Sequence, residues 1–201
     1  WQMCHQAAMV VHILFATRTL GLTADQVGAS FVALGLGTVL ASVFGHRISQ
    51  RLGPGPSLAL AFAVTSVGWL LLAVAPASRW GVLAFSAMLF FFGVGAVLIF
   101  VNFLAMRQAV TPEPMLGRMT STMRWLILLP AGPGALLGGW LGEHVGLRSA
   151  LAFAGVTALV LAVAASRHPV IRAVRELPKP EEDDSRVLGA EAAVAASSPP
   201  G

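Results

Sequence analysis

The chain has 201 residues, of which 56% are hydrophobic and only 11% are charged, with a mean hydropathy of +0.78. A soluble domain of this size carries roughly 25% charged residues, so the composition excludes an ordinary water-soluble fold. The net charge of +4 comes mainly from Arg residues that separate apolar segments. Nucleic-acid binding would instead need them clustered on one soluble face.

Six long apolar segments follow one another between residues 3 and 166. A helix needs ~20 apolar residues to cross a bilayer, and each segment must satisfy its own backbone hydrogen bonds there. The period-two alternation typical of membrane barrels does not occur in this sequence. We therefore predict an all-α membrane protein with spans at about 3–20, 26–46, 57–76, 81–104, 119–142 and 148–166.

The distribution of Arg and Lys between the segments predicts the orientation. Eight of these residues follow the second, fourth and sixth segments, whereas three follow the other segments. Because the more basic side is cytoplasmic, both ends of the chain are predicted to lie in the cytoplasm. The Arg-rich, Lys-poor composition, with abundant Ala, Gly and Val, suggests a GC-rich bacterial genome, and the membrane is then expected to be the bacterial inner membrane. Residues 167–201 begin basic and continue through Pro, acidic residues and Ser, which predicts a disordered cytoplasmic tail.

The first segment carries the one group of residues that suggests metal chemistry. His5, Met9 and His12 recur at helical spacing and so share a helix face, beside Cys4. Soft ligands of this kind suit copper, but no carboxylate lies within local reach to orient them. We predict no metal and no cofactor, and place the three residues on a solute pathway. Both His residues have side chains that titrate near neutral pH.

The fourth segment is the second candidate for the pathway. It holds six Phe residues, including Phe92, with Gly93 and Gly95 in its middle and Asn102, the only Asn of the chain. Each glycine weakens a helix by ~1 kcal/mol relative to Ala, and interrupted helices mark binding sites in many transporters. The segment is predicted to line a cavity, with lipid contact as the alternative. The third and sixth segments, uncharged in their centres, are predicted to face lipid.

Two segments carry small residues at every fourth position, a spacing that lets helix backbones approach closely in lipid. The stripes include Ala33, Gly37 and Ala41 in the second segment and Gly134, Gly138 and Gly142 in the fifth. One such face could pack within the six-helix bundle. Two of them are predicted to be open seams that face a further bundle.

Enzyme motifs are missing from the sequence. Lys179 is the only Lys and lies in the tail, so a phosphate-binding Gly-x-x-x-x-Gly-Lys-Ser/Thr loop is excluded. No Asp or Glu lies inside a span, which excludes paired carboxylates for acid–base chemistry. We predict that the protein is not an enzyme.

Three connections resemble those of the major facilitator superfamily. The loop Gly45-His-Arg-Ile-Ser-Gln-Arg-Leu-Gly53 resembles the Gly-x-x-x-Asp-Arg-x-Gly loop between the second and third helices of each half in that family. The linker from Arg107 to Arg118 is similar to the linker between the tenth and eleventh helices of the enterobactin-exporter-like branch. The glycine-rich run at 132–139 is similar to the eleventh helix of that branch.

The resemblance implies helices seven to twelve of a twelve-helix transporter, that is, the C-terminal half. It implies alternating-access transport of a small organic solute, with export of a drug or siderophore favoured. The alternatives are an uptake permease for sugars or organic acids and a non-transporting accessory protein. The implied partners are the lipid bilayer, an N-terminal six-helix half placed before this chain, the solute, and protons for coupling.

The resemblance also implies a cytoplasmic gate in the basic connections. Its candidate residues are Gly45, Arg47, Gln50, Arg51, Gly53, Arg107, Arg118 and Arg124. Gln50 stands where the family has an acidic residue, so an ion pair at that position is excluded. Arg124 lies roughly 9 Å beyond Arg118 along the helix and is predicted to face the gating side of the interior because a charge in lipid is costly.

Overall fold

The computed structural model describes residues 1–78, 80–109, 111, 115–169 and 171, and this part of the chain contains no β-strand. The first helix, α1, continues through a π-helical turn at Phe15–Thr19. The α-helices in chain order are α1 (Gln2–Leu14), α2 (Ala24–Leu52), α3 (Pro54–Ala73), α4 (Gly81–Ala109), α5 (Leu116–Leu128), α6 (Ala131–His144) and α7 (Leu147–Arg167).

Five helical segments of the described residues are long and apolar enough to cross a membrane, with α5 and α6 together forming one segment, Leu116–His144. The all-α membrane fold expected from composition is thereby confirmed. The remaining helix, α1, has 13 residues, and its π-helical turn adds 5 more. The division into a six-span bundle and a tail stays a prediction, since residues 172–201 lie outside the described part.

The boundary between α2 and α3 follows from local chemistry at both ends of α2. Thr23 and Gln26 form a capping box, in which each side chain accepts a hydrogen bond from the other residue's backbone N–H. At the far end Gly53 has φ of +84°, a conformation that favours glycine, and Pro54 then begins α3. The helix therefore runs six residues past the predicted end of the second span, through residues 47–52.

The helices pack in a continuous series. α4 lies between α2 and α3, α3 lies between α4 and α7, and α1 lies between α7 and α6. The core joins fully buried side chains of α1, α3 and α4, among them Trp69 and Phe85. α5 contacts little beyond the adjoining α6 and has no buried residue.

The expectation that the third span faces lipid is wrong for most of α3. Its apolar window is 56% buried, compared with 22% for α2, because α4 and α7 cover it from two sides. Small residues permit this approach: a Cβ atom on Gly68 would lie 3.1 Å from the carbonyl oxygen of Met88 in α4. The outer side of α3 is exposed at Leu60, Val67 and Leu71.

The two glycines in the middle of the fourth span do not interrupt it, since α4 is one helix of 29 residues. Its glycines serve close packing instead. A Cβ atom on Gly93 would lie 2.7 Å from the carbonyl oxygen of Leu34 in α2. One on Gly95 would lie 2.9 Å from the carbonyl oxygen of Ala61 in α3. The two glycines let neighbouring helices approach α4 from opposite sides.

The small-residue stripe of α2 packs against α4. A Cβ atom on Gly37 would lie 3.2 Å from the carbonyl carbon of Phe90. Ala41 is buried and Ala33 is half-buried. This face therefore contacts a helix of the same bundle, and the expectation that it forms an open seam is wrong.

The stripe of α6 packs against α1 in the same way. A Cβ atom would lie 2.9 Å from the carbonyl carbon of Met3 if placed on Gly134, and 2.6 Å from the Cα of Ala7 if placed on Gly138. Gly142 follows one turn later, beside Val11 and Leu147. The second predicted seam is likewise an internal contact, because helix backbones this close leave no room for another helix between them.

Arg148 fixes the end of the bundle opposite the Gly53 turn. Its guanidinium donates hydrogen bonds of 2.8 Å to the carbonyl of Ala73 and 2.7 Å to that of Ala75. The same group lies 5.4 Å from the ring centroid of Phe15, within cation–π range. One side chain of α7 therefore joins the C-terminal end of α3 to the π-helical turn after α1.

Candidate functional site

A cavity of about 620 Å³ lies between α1, α3, α4 and the junction of α5 with α6. This volume falls within the roughly 300–1,000 Å³ typical of small-molecule pockets. Its lining has no Asp, Glu, Lys or Arg side chain among the described residues, and Gln2 and His5 are its polar members. The lining residues are Trp1, Gln2, Met3, His5, Leu58, Phe62, Phe92, Ala96, Ile99, Phe100, Phe103, Leu126, Ile127 and Pro130.

His5 is held in the cavity wall by aromatic stacking. Its imidazole lies 4.8 Å from the ring of Phe92 at 13° and 5.3 Å from the ring of Trp1 at 12°. Stacked pairs of this kind contribute about 0.5–1.5 kcal/mol each beyond the area that they bury. The Nδ1 atom of His5 has no hydrogen-bond partner in the described part of the chain. The sequence-predicted pair His5 and Phe92 therefore meets at the cavity.

Trp69 continues this aromatic cluster into the core. Its ring centroid lies 6.0 Å from that of His5 and 6.3 Å from that of His12. It is fully buried, and its Nε1 has no hydrogen-bond partner in the described ranges. Sequence reasoning missed this residue because one Trp in an apolar segment cannot be distinguished from an ordinary core side chain.

His12 is buried and Met9 is half-buried against the hydrophobic core, and neither residue lines the cavity. The Nδ1 of His12 hydrogen-bonds the carbonyl oxygen of Met9 at 2.7 Å, and its ring stacks on Phe85 at 6.1 Å. His12 is only 3% exposed and does not line the cavity, and its place on the solute pathway stays a prediction. His5 and His12 lie on one face of α1, but only the His5 end of that face borders the cavity, because other helices cover the His12 end. No group of three His, Cys, Asp or Glu that could hold a metal ion occurs among the described residues.

Asn102 connects two helices and does not reach the cavity. Its Oδ1 accepts a hydrogen bond from Ser49 Oγ of α2, and its Nδ2 donates to the carbonyl oxygen of Leu98, both at 2.8 Å. The residue is 1% exposed. A buried amide must be paired, and this one is paired by protein groups. Asn102 is thus a contact between helices in this structure, and its predicted role in the solute pathway stays a prediction.

Comparison with protein families identifies the chain. The family model of the Major Facilitator Superfamily matches residues 3–199, nearly the full length. The chain belongs to the Major Facilitator Superfamily. Comparison with curated proteins and with solved structures gives no significant match. The superfamily is a family of secondary transporters, and membership therefore supports a transporter role for this chain.

The superfamily-like segment between Gly45 and Gly53 is helical for most of its length. Arg47, Gln50 and Arg51 are exposed on the last two turns of α2. Gly45 is buried beside the Leu98 side chain of α4, where a Cβ atom would lie 3.0 Å from it. The geometry is thus a basic helix end followed by a glycine turn, and its predicted gating role stays a prediction.

The other predicted gate residues lie on α4 and α5. Arg107 is half-buried, with its guanidinium 4.8 Å from the ring centroid of Phe103. Arg118 and Arg124 are exposed on α5, while Leu126 and Ile127 of that helix reach the cavity. The inward position of Arg124 stays a prediction. Residues 110 and 112–114 of the predicted linker lie outside the described residues.

Proposed function

We propose that this chain forms the C-terminal half of an exporter of uncharged, lipophilic solutes with aromatic character. The supporting observation is the cavity wall, which presents aromatic and aliphatic side chains with His5 and Gln2 as its polar groups. Apolar walls with a few polar groups bind organic molecules by burying their surface, and the polar groups orient them. An aromatic solute would stack on Phe92 or Phe100 while one of its polar atoms hydrogen-bonds His5.

The same wall disfavours the two uptake substrates. A sugar would leave several hydroxyl groups unpaired against it, and each buried, unpaired polar group costs about 1–3 kcal/mol. An organic acid would need a cationic partner, and the described lining contains no Arg or Lys. Lipophilic solutes also enter bilayers unaided, so a protein that moves them is useful mainly in the outward direction.

The rest of the transporter is part of this proposal. The cavity is bounded on one side by α5, whose Trp125, Leu126 and Leu128 are more than half exposed. A second six-helix unit, the N-terminal half, would cover this face and complete the pathway. It would also supply the carboxylates for proton coupling, in a bacterial inner membrane with both ends of this chain cytoplasmic. The enterobactin-exporter-like branch is the subgroup that we propose.

Accumulation of a neutral lipophilic dye, Nile red, in efflux-deficient bacteria tests the proposal. Expression of the complete transporter containing this chain should lower the dye content of energised cells. Phe92→Ala should restore most of it, because the variant removes an aromatic wall of the cavity. Phe31→Ala, which removes an exposed ring of α2 outside the cavity lining, is the matched control.

Each alternative function gives a different result in this assay. An uptake permease would leave the dye unchanged and raise the accumulation of a radiolabelled sugar or organic acid. An accessory protein would change neither quantity. A lower dye content that is equally sensitive to Phe31→Ala and Phe92→Ala would show export through a site other than this cavity.

A further inference from the structure

A second, larger groove lies on the outside of the bundle, between α3 and α7 at their Arg-rich end. Its volume is about 840 Å³. The floor is made of small residues, including Ala59 and Ala63 of α3 and Ala162 of α7. Arg51, from the last turn of α2, lies at its mouth together with Ser166. No residue of this groove lines the aromatic cavity, so the two are separate.

The groove is long enough to hold part of a lipid acyl chain. Its lining on α7 runs from Leu159 to Ser166, and on α3 from Pro56 to Ala63. Seven residues of helix rise about 10 Å, whereas one leaflet's hydrocarbon layer is about 15 Å thick, half of the ~30 Å core. The groove therefore extends from the helix ends through roughly two thirds of one leaflet. Its side walls, Leu60 and Val163, are exposed apolar side chains that face the bilayer.

The charge at the groove mouth is positive. Arg51 is exposed there, and Arg167 follows Ser166 directly in sequence. Of the nine acidic residues in the chain, the described part contains Asp25 and Glu143, which lie at the other end of α2 and next to the start of α7. The N-terminus of α3 also begins beside Arg51 without a side-chain cap, so its dipole adds to the attraction for an anion.

We propose that this groove binds one anionic phospholipid, with the phosphate at Arg51 and one acyl chain between α3 and α7. The apolar floor excludes a free phosphate as the occupant, because an ion alone would leave the groove lining exposed. The position agrees with the predicted orientation, in which the Arg-rich end faces the cytoplasm. The inference does not depend on the transported solute.

Native mass spectrometry of the purified chain tests the proposal directly. The chain is released from detergent after titration with phosphatidylglycerol or with phosphatidylcholine of the same acyl chains. We expect one phosphatidylglycerol to be retained with about fivefold higher affinity than phosphatidylcholine. This ratio corresponds to the ~1 kcal/mol that one Arg contributes near an anionic surface.

Two pairs of variants separate the groove from the general positive surface. Arg51→Gln should abolish the preference, whereas Arg47→Gln removes the same charge one turn earlier on α2, outside the groove lining, and should retain it. Arg51→Lys should retain it as well. Ala63→Leu fills the floor and should lower binding of both lipids, while Ala164→Leu, at an exposed position of α7 outside the lining, should not.

Several outcomes would overturn the inference. Equal loss of the preference in Arg47→Gln and Arg51→Gln would reduce it to surface electrostatics. Equal retention of phosphatidylglycerol and phosphatidylcholine would show that the groove holds bulk lipid without preference for an anionic headgroup. Displacement of phosphatidylglycerol by glycerol phosphate alone would show a headgroup site without a chain. A chain dimer that Ala63→Leu dissociates would identify a second copy as the occupant.

Discussion

Replacing Gly138 with Ala places one methyl group against the backbone of α1. The added Cβ would lie 2.6 Å from the Cα and 2.7 Å from the carbonyl carbon of Ala7. Carbon atoms in contact are normally about 3.5–4.0 Å apart, so α1 and α6 must separate by about 1 Å. Because the obstacle is backbone, no side-chain rotation relieves it. Gly139→Ala is the matched control, since a Cβ there has no atom within 4 Å.

The two substitutions share one contribution and differ in another. Both replace Gly by Ala inside the same helix, which stabilises a helix by about 0.5–1 kcal/mol. Only Gly138→Ala adds the cost of overpacking, typically about 1–3 kcal/mol. The difference in unfolding free energy between the two variants is therefore the packing cost alone. For a chain of this size it corresponds to roughly 2–4 °C in Tm per kcal/mol.

Thermal unfolding in detergent, followed by Trp fluorescence, measures this difference. Gly138→Ala should unfold about 2–12 °C below Gly139→Ala, and Gly139→Ala should unfold at or above the unsubstituted protein. If Gly138→Ala unfolds at the same temperature as its neighbour, the α1–α6 contact is not formed. The glycine stripe would then be an open surface, as the sequence alone predicts.

The remaining predictions concern the Arg148 connection and access to the cavity. Arg148→Gln loses two charge-assisted hydrogen bonds to the end of α3, each about 1.5–3 kcal/mol before solvent exposure reduces it, and should lower the Tm in detergent by several degrees. In a Cys4→Ala background, a Cys at Phe100, 65% exposed on the cavity wall, should react with a water-soluble maleimide in membranes. A Cys at Asn102, 1% exposed, should remain unreacted until the protein is denatured.

Controls for these two experiments come from the same chain. Arg18→Gln removes an exposed Arg from the same end of the bundle and should leave the Tm nearly unchanged. An unchanged Tm in Arg148→Gln would show that the connection between α7 and α3 contributes nothing. A Cys at Leu159, exposed on the outer side of α7, should face lipid and remain unlabelled. Labelling at Asn102 equal to that at Phe100 would contradict the cavity boundaries.

The composition alone predicts that this protein lies in a lipid bilayer and that it is helical. Long uncharged segments can satisfy their backbone only as helices, so the all-α membrane fold follows without any contact being known. Short motifs can also be recognised in the sequence alone. The run from Gly45 to Gly53 indicates the superfamily, and the glycine that ends α2 does adopt the positive φ that its position suggests. His5 and Phe92 both line the cavity, and their place on the solute pathway stays a prediction.

Only the folded bundle shows which face of each helix contacts which neighbouring helix. A stripe of glycines predicts close approach of a helix but does not name the partner, and Gly37 and Gly138 find theirs within the chain rather than outside it. A polar residue in lipid must be paired, yet Asn102 could have met a solute as well as Ser49. Periodicity places residues on a helix face, while the rotation and neighbours of that helix arise from packing between segments far apart in sequence.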